Sequence, residues 1–366
     1  MTKINIYKVC FLLFLLVIPL VILFPRAIRV EEMYSGRFSQ NLEDYVRSNF
    51  PFLGYLNRIN VTVRYYGGNR EQNGVFIGED ILIKNVGPPP PGIVEKNNEA
   101  VLEFARDLRS RDIPFYFTLI PTSSGVLRQS LPSFAEVFDQ RRFIEDVYSR
   151  MTGKMTTIDT FLPLNANRER YVFYRTENSL TPYGGYYVYE ALAKRLRATD
   201  NPTFSTYNIN YGDNFFYGDL FNLSPYQNVR PDVLVMFDYS RHAREYMVTH
   251  VNPEGVKTYH GLFPRHLEQP GSVTDIFLGG MSARIDIVTS APFTRRLLVF
   301  GDRTALTYLP FLANHYQQIT LIDLSWELTP FGVIEIEEYD QVLMAYSVET
   351  YTDFSALPSR IEKFIE

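Results

Sequence analysis

The chain has 366 residues, room for about two ordinary domains or one enlarged one. Its 36 Lys and Arg against 41 Asp and Glu leave a net charge of −5, which argues against a nucleic-acid binder with its basic stripe. With 46 % hydrophobic and 21 % charged residues it can bury a core, and its single cysteine excludes a disulfide framework or a cysteine-ligated metal site. Aromatic residues reach 15 %, with 26 Tyr and 28 Phe. Such an excess fits a surface that meets polar, flat partners such as sugars, and equally an aromatic-rich core.

From Val9 to Pro25 the chain is apolar and uncharged, with Lys3 and Lys8 before it and Arg26 and Arg29 after it. At 1.5 Å per residue this run spans about 25 Å, near the lower limit for a bilayer. No small-residue cleavage pattern follows Phe24, so an uncleaved signal anchor is expected over a removed signal peptide. With one such run, the rest of the chain is expected to form an extracytoplasmic body held at the cell membrane by a single pass. Cys10 lies inside the run, so that body carries no thiol. The expected division is 1–29 for the cytoplasmic tip and anchor, 30–96 for a lead-in helix and short strands, and 97–366 for an α/β domain. A β-rich insertion is expected within it at about 200–295.

In chain order, residues 30–66 read as a polar, aromatic helical lead-in, with Phe38, Leu42, Tyr45 and Val46 at helical spacing. Gly74–Gly78 and Ile81–Ile83 read as two short strands around a Gly-Glu-Asp turn. A helix follows from about Asn97 to Arg111, then a buried-type strand from Ile113 to Ile120 ending in Pro121-Thr122-Ser123-Ser124. Further helices are expected near Gln140–Met151, Gly184–Leu196 and Thr304–His315, with short strands at Thr156–Ile158, Leu297–Phe300, Ile319–Ile322 and Val342–Tyr346. Strand, turn, helix, strand is a right-handed crossover in nearly every case, and continuous apolar strands suit a parallel sheet covered on both faces. The fold class is therefore α/β, a three-layer, flavodoxin-like parallel sheet with a β-rich insertion, after one N-terminal transmembrane helix. Ligands of such sheets lie beyond the carboxyl ends of the strands, which directs attention to Pro121–Ser124, Gly279–Ser282 and Gly301–Thr304.

Two segments carry a family resemblance: Tyr174-Arg175-Thr176-Glu177-Asn178-Ser179-Leu180-Thr181-Pro182-Tyr183-Gly184-Gly185-Tyr186, and Leu297-Leu298-Val299-Phe300-Gly301-Asp302-Arg303-Thr304-Ala305. With Gly74–Gly78, Ile120-Pro121-Thr122, Ile319–Leu324 and Tyr339-Asp340, they resemble the DHHW proteins, relatives of the alginate O-acetylation proteins with an SGNH-hydrolase-like domain. The resemblance covers about residues 40–350, in framework and order more than in any one motif. It implies an Asp-x-His pair on the first segment and a Ser after the Asp of the second, the Ser attacking an acyl carbonyl while His takes its proton. This chain departs at each place. Glu177 stands for the Asp, Asn178 and Ser179 for the histidines, Leu180 for the Trp and Arg303 for the nucleophile; Thr181 is retained.

Serine in place of histidine removes the group able to take a proton near neutral pH, and guanidinium cannot act as a nucleophile. The triad positions Glu177, Ser179 and Arg303 are thus expected to be inactive, and the domain to be a pseudoenzyme relative of O-acetyltransferases and esterases. Tyr174, Arg175, Thr181, Tyr183 and Asp302 are the expected substrate-binding residues, with Tyr171, Tyr186 and Tyr187 crowding the same segment. Arg303 is expected to pair with Asp302 or Glu177, or to grip an acidic glycan, and Thr304 to face away by one residue. No His-x-x-x-His, cysteine pair or Asp-rich loop provides metal-ligand spacing, and no cofactor is expected. The expected function is glycan binding, or scaffolding of polysaccharide O-acetylation beside a partner protein. The rival readings are an active O-acetyltransferase or acetylesterase with a rearranged site, and a structural envelope protein without a ligand.

Overall fold

The structure, a computed structural model, describes residues 53–198, 202–241, 244–264, 273–326 and 334–365. The expected anchor and residues 30–52 of the lead-in lie outside them. Among the described residues no helix is long and apolar enough to cross a membrane. Two compact units divide at Arg64 and Tyr65. The described part of the first belongs to helix α1 (Leu53–Tyr66), whose last two residues open the second.

The second unit begins with a small antiparallel sheet of β1 (Glu71–Gln72), β2 (Val75–Ile77) and β3 (Leu82–Lys84). Asn73 and Gly74 close its first hairpin with φ of 53° and 72°, the pair of left-handed residues that a two-residue turn of matching twist requires. Helix α2 (Ile93–Ser110) then leads into β4 (Phe115–Ile120); α3 (Gln140–Met151) into β5 (Thr156–Thr157); and α4 (Pro182–Arg195) into the hairpin of β6 (Tyr207–Phe216) and β7 (Asp232–Tyr239). The chain continues through β8 (Tyr246–Asn252), β9 (Gly255–His260), β10 (Arg284–Thr289), β11 (Arg296–Gly301), α5 (Ala305–Leu312), β12 (Gln318–Ile322), β13 (Gln341–Ser347), α6 (Val348–Asp353) and α7 (Leu357–Ile361).

Eight strands form one sheet in the order β5-β4-β13-β11-β12-β10-β8-β9. From β5 to β12 all neighbours are parallel, and from β12 to β9 all are antiparallel. The expectation of a parallel sheet therefore holds for five strands and is corrected for the rest. The strands read as an insertion supply three antiparallel members of the main sheet, alongside a separate β6–β7 ribbon. The physical reason lies in exposure. β11 and β13 are buried along almost their whole length and read as continuous apolar runs, whereas β9 is exposed at five of six positions and closes the edge. Counted from β11, the five parallel strands run 2-1-3-4-5, the order of flavodoxin-like sheets, with the C-terminal β13 occupying the centre.

The aromatic excess is mostly core. Tyr186, Tyr189, Phe204, Tyr207, Phe237 and Phe311 pack ring against ring where α4 and α5 meet the β6–β7 hairpin. Helices α4 and α5 approach so closely at Gly185 that a Cβ there would lie 2.2 Å from the Thr307 carbonyl oxygen.

Candidate functional site

The site grows from the switch point of the parallel sheet, beyond the carboxyl ends of β4, β11 and β13. After β11, the Asp302 carboxylate accepts from the backbone N–H of Thr304 at 2.9 Å and of Ser347 at 2.8 Å. One side chain thus ties the turn into α5 to the end of β13. After β4, Gln140 of α3 fixes the Pro121–Ser124 turn, accepting from Thr122 N–H and donating to the Thr122 and Ser124 hydroxyls.

The first motif segment enters as a loop pinned at its root. Phe173 and Leu180 bridge, and Tyr174 N–H donates to the Ser179 carbonyl, so Arg175–Asn178 form its tip. The fully buried Asp232 of β7 holds this loop. Its carboxylate accepts from the Tyr171 hydroxyl at 2.6 Å, Arg175 N–H at 2.7 Å, Thr176 N–H at 2.8 Å and the Thr176 hydroxyl. Tyr171 sits in the left-handed region at φ 50°, a conformation that surrounding contacts must hold. Nothing in local sequence patterning marks Asp232; its role depends on a contact 56 to 61 residues away.

These supports create a cleft of about 50 Å³ lined by Ser123, Phe173, Ser179, Leu180, Thr304 and Glu349, among others. A water needs about 10–15 Å³ by the same measure, so the cleft admits a few heavy atoms and excludes a sugar ring. The Ser179 hydroxyl is buried there without a hydrogen-bond partner. Asn178 donates to Glu349 at 2.9 Å, and Lys84 forms an ion pair with the same carboxylate. No histidine lines this cleft among the described residues.

The other predicted residues divide. Arg303 pairs with Asp275 of the short helical turn Val273–Ile276 at 2.9 Å, correcting the expected pairing with Asp302, which is already committed to two backbone donors. Glu177 accepts from Asp219 N–H at 2.8 Å; burial pushes its carboxyl up, against that hydrogen bond and the Arg303 charge, which favour ionisation. Thr304, expected to face away, lines the cleft. Tyr174 is 1 % exposed and packs edge-on against Tyr171 and Phe216, so it offers no surface to a substrate. Thr181 is wholly buried as the N-cap of α4, accepting from Gly184 N–H and donating to the Tyr171 carbonyl. Tyr183 is partly covered, with its ring edge-on to Phe237 and tilted against Phe204. The causes differ: Tyr174 is taken up by packing against Tyr171 and Phe216, whereas Thr181 is spent on capping the start of α4.

Arg175 alone among the expected binding residues faces a large open space. It lines a groove of about 1,020 Å³ that shares Phe173 with the cleft, where Arg70, Arg168 and Arg230 and the rings of Tyr65 and Tyr171 also stand. The Arg175 guanidinium lies 4.5 Å from the Tyr171 ring centroid, and Arg175 and Arg230 share Asp80.

Of the five histidines, His242 and His266 lie outside the described residues. His315 is buried against Tyr189, and His260 ends the exposed strand β9. His250 is buried on β8, with Nδ1 2.6 Å from the Ser282 hydroxyl and Nε2 2.7 Å from the Leu278 carbonyl oxygen. Burial lowers its pKa. Ser282 is 2 % exposed and also accepts from Asn252, which makes this pair a structural lock as it stands.

No protein-family model matches the chain, and no curated protein matches it. Solved structures do. A DHHW family protein from Eubacterium siraeum superposes with a TM-score of 0.65 at 18 % identity, covering 79 % of this chain and 96 % of that one. Bacillus cereus PatB1, solved with a sulfonyl adduct, gives 0.63 at 16 % identity, covering 76 % of this chain and 95 % of that one. The O-acetyltransferase domain of Pseudomonas putida AlgJ follows at 0.49 and 13 % identity, covering 79 % and 99 %. The fold is the one the motif resemblance implied.

Proposed function

We propose that this chain is a membrane-anchored cell-envelope protein whose SGNH-like domain has lost acyl-transfer chemistry and binds glycan, beside the enzymes of polysaccharide O-acetylation. The observation that carries this reading is the strand-end cleft: among the described residues its hydroxyls have no imidazole beside them, and the nucleophile position holds an arginine paired with Asp275. Removing nucleophile or base typically costs several powers of ten in rate. The carboxylates beside the cleft are both engaged, Glu349 by Lys84 and Asn178 and Asp302 by the Thr304 and Ser347 N–H groups.

Glycan binding rests on the neighbouring groove. Four arginines stand there against the carboxylates Glu79, Asp80 and Glu169, a small positive excess that with the tyrosine rings suits a saccharide carrying negative charge: guanidinium forks meet carboxylates, and rings cover apolar sugar faces. Two assays test the reading. Incubation with an aryl sulfonyl fluoride, followed by intact-mass measurement, gives no adduct, and no acetate is released from acetylated xylo-oligosaccharides above background. Covalent capture at Ser123, Ser179 or Thr304 refutes the loss of chemistry. On a polysaccharide panel, Arg175→Ala reduces binding of an acidic glycan at least tenfold; equal binding by the variant removes the groove from the argument.

One observation favours a second reading, an active domain with a rearranged site: Ser282 and His250 have the mutual geometry of a serine and its base, with a backbone carbonyl orienting the ring. It requires hydrolysis that Ser282→Ala abolishes while the fold persists.

A further inference from the structure

Helix α1 contains no acidic residue, and its exposed side chains are sorted by face. Tyr55, Leu56, Ile59, Val63 and Tyr66 are all exposed, by 39 % to 72 %. At about 100° per residue they fall within one arc of about 100°. Val61 is the buried member and lies on the far side of the wheel. Arg58 and Arg64 flank the arc, one on each side, and Arg64 is steadied by Asn60 at 3.1 Å. A helix with a continuous apolar, aromatic arc and basic flanks in a chain of net charge −5 does not resemble an ordinary solvated surface.

We infer that this face lies on an anionic lipid surface, with the apolar arc in the headgroup boundary and the two arginines against lipid phosphates. Two features select lipid over a protein partner. The charge on the helix is of one sign and complements an anionic leaflet. The 17-residue apolar run ending at Pro25 lies only 28 residues upstream of Leu53 in the same chain, so a chain held by that run brings α1 to the same membrane. The inference builds on the anchored reading above and assigns α1 the work of settling the folded body against the bilayer.

The test uses the full chain with Cys10→Ser and one new cysteine carrying an environment-sensitive fluorophore, either Val63→Cys within the arc or Asn57→Cys outside it. The protein is reconstituted in vesicles of phosphatidylcholine alone or with 30 % phosphatidylglycerol. Recovery of protein with the vesicles reports the anchor. Emission and quenching by brominated lipid report the helix. The expected result is a blue shift and at least threefold stronger quenching at position 63 than at position 57, in anionic vesicles, reduced by Arg58→Ala with Arg64→Ala. A label at position 63 that stays water-exposed in a vesicle-bound protein overturns the inference and leaves the anchor standing. Failure of the protein to stay with vesicles overturns the anchor. A blue shift that grows with protein concentration and needs no lipid assigns the face to a protein partner and likewise overturns it.

Discussion

Asp232 offers the sharpest test of how the motif loop is held. Its two carboxylate oxygens accept four hydrogen bonds, the Tyr171 hydroxyl and Arg175 N–H on one, the Thr176 N–H and hydroxyl on the other. Asp232→Asn keeps one acceptor oxygen and turns an NH2 group toward the second pair of donors. The Thr176 hydroxyl can rotate to accept, but the buried Thr176 N–H is orphaned, at about 1–3 kcal/mol, and the surviving bonds lose their ionic strength, at about 1 kcal/mol more. The sum is about 3 kcal/mol, equivalent to a fall in Tm of roughly 6 °C at ~2 °C per kcal/mol for a domain of this size. Asp232→Ala leaves all the donors unpaired and opens a cavity, so it costs more than Asn, above roughly 4 kcal/mol. Urea unfolding followed by tyrosine fluorescence and far-ultraviolet circular dichroism measures both. Tyr171 and Arg175 line the groove, so the Asn variant, measured where it is still folded, also loses affinity for an acidic glycan. A cost below about 1 kcal/mol for Asp232→Asn, or Ala milder than Asn, would refute the account of Asp232 as the organiser of this loop.

Further outcomes follow from the same geometry. Gly185→Ala places a methyl 2.2 Å from the Thr307 carbonyl oxygen and must separate α4 from α5; overpacking of this kind costs about 1–3 kcal/mol, visible as a lower urea midpoint. The lowered pKa of His250 means that the unfolded chain takes its proton first, so its contribution is fully present above about pH 6.5 and is lost as pH falls through its lower folded value. Glu177 and Asp323, both raised by burial, act in the opposite direction in their own more acidic range, so the comparison is made against His250→Gln, whose stability falls less steeply between pH 6.5 and 5. Arg303→Ser alone restores no esterase activity because no imidazole lines the cleft among the described residues; adding Ser179→His supplies one, and acetate release from the double variant, absent in both singles, is the readout.

Much of the fold was legible in the residues. The continuous apolar runs of β4, β11, β12 and β13, the helix with apolar spacing at Gln140–Met151, and the turn from Gly301 to Thr304 follow from local periodicity and backbone preference. That the catalytic types are missing is likewise a matter of residue identity at Glu177, Ser179 and Arg303. Pairing was not legible. The sequence contains no local signal that β10, β8 and β9 extend the parallel sheet in the antiparallel sense, or that β13 lies at its centre, because strand order is fixed by long-range packing.

The composition by itself settled that a core exists and that thiol chemistry plays no part outside residues 1–29. It left the aromatic residues open between surface and interior, since a tyrosine ring is suited to either. Tertiary structure decided: Tyr186 went inward because α4 needs apolar contact with α5 and the β6–β7 hairpin, and Tyr174 because the motif loop packs it on Phe216 of that hairpin, while Tyr171, turned by its left-handed backbone and held by Asp232, stayed at the groove. Which carboxylate meets Arg303 was decided the same way, by the distances that folding creates between residues far apart in the chain.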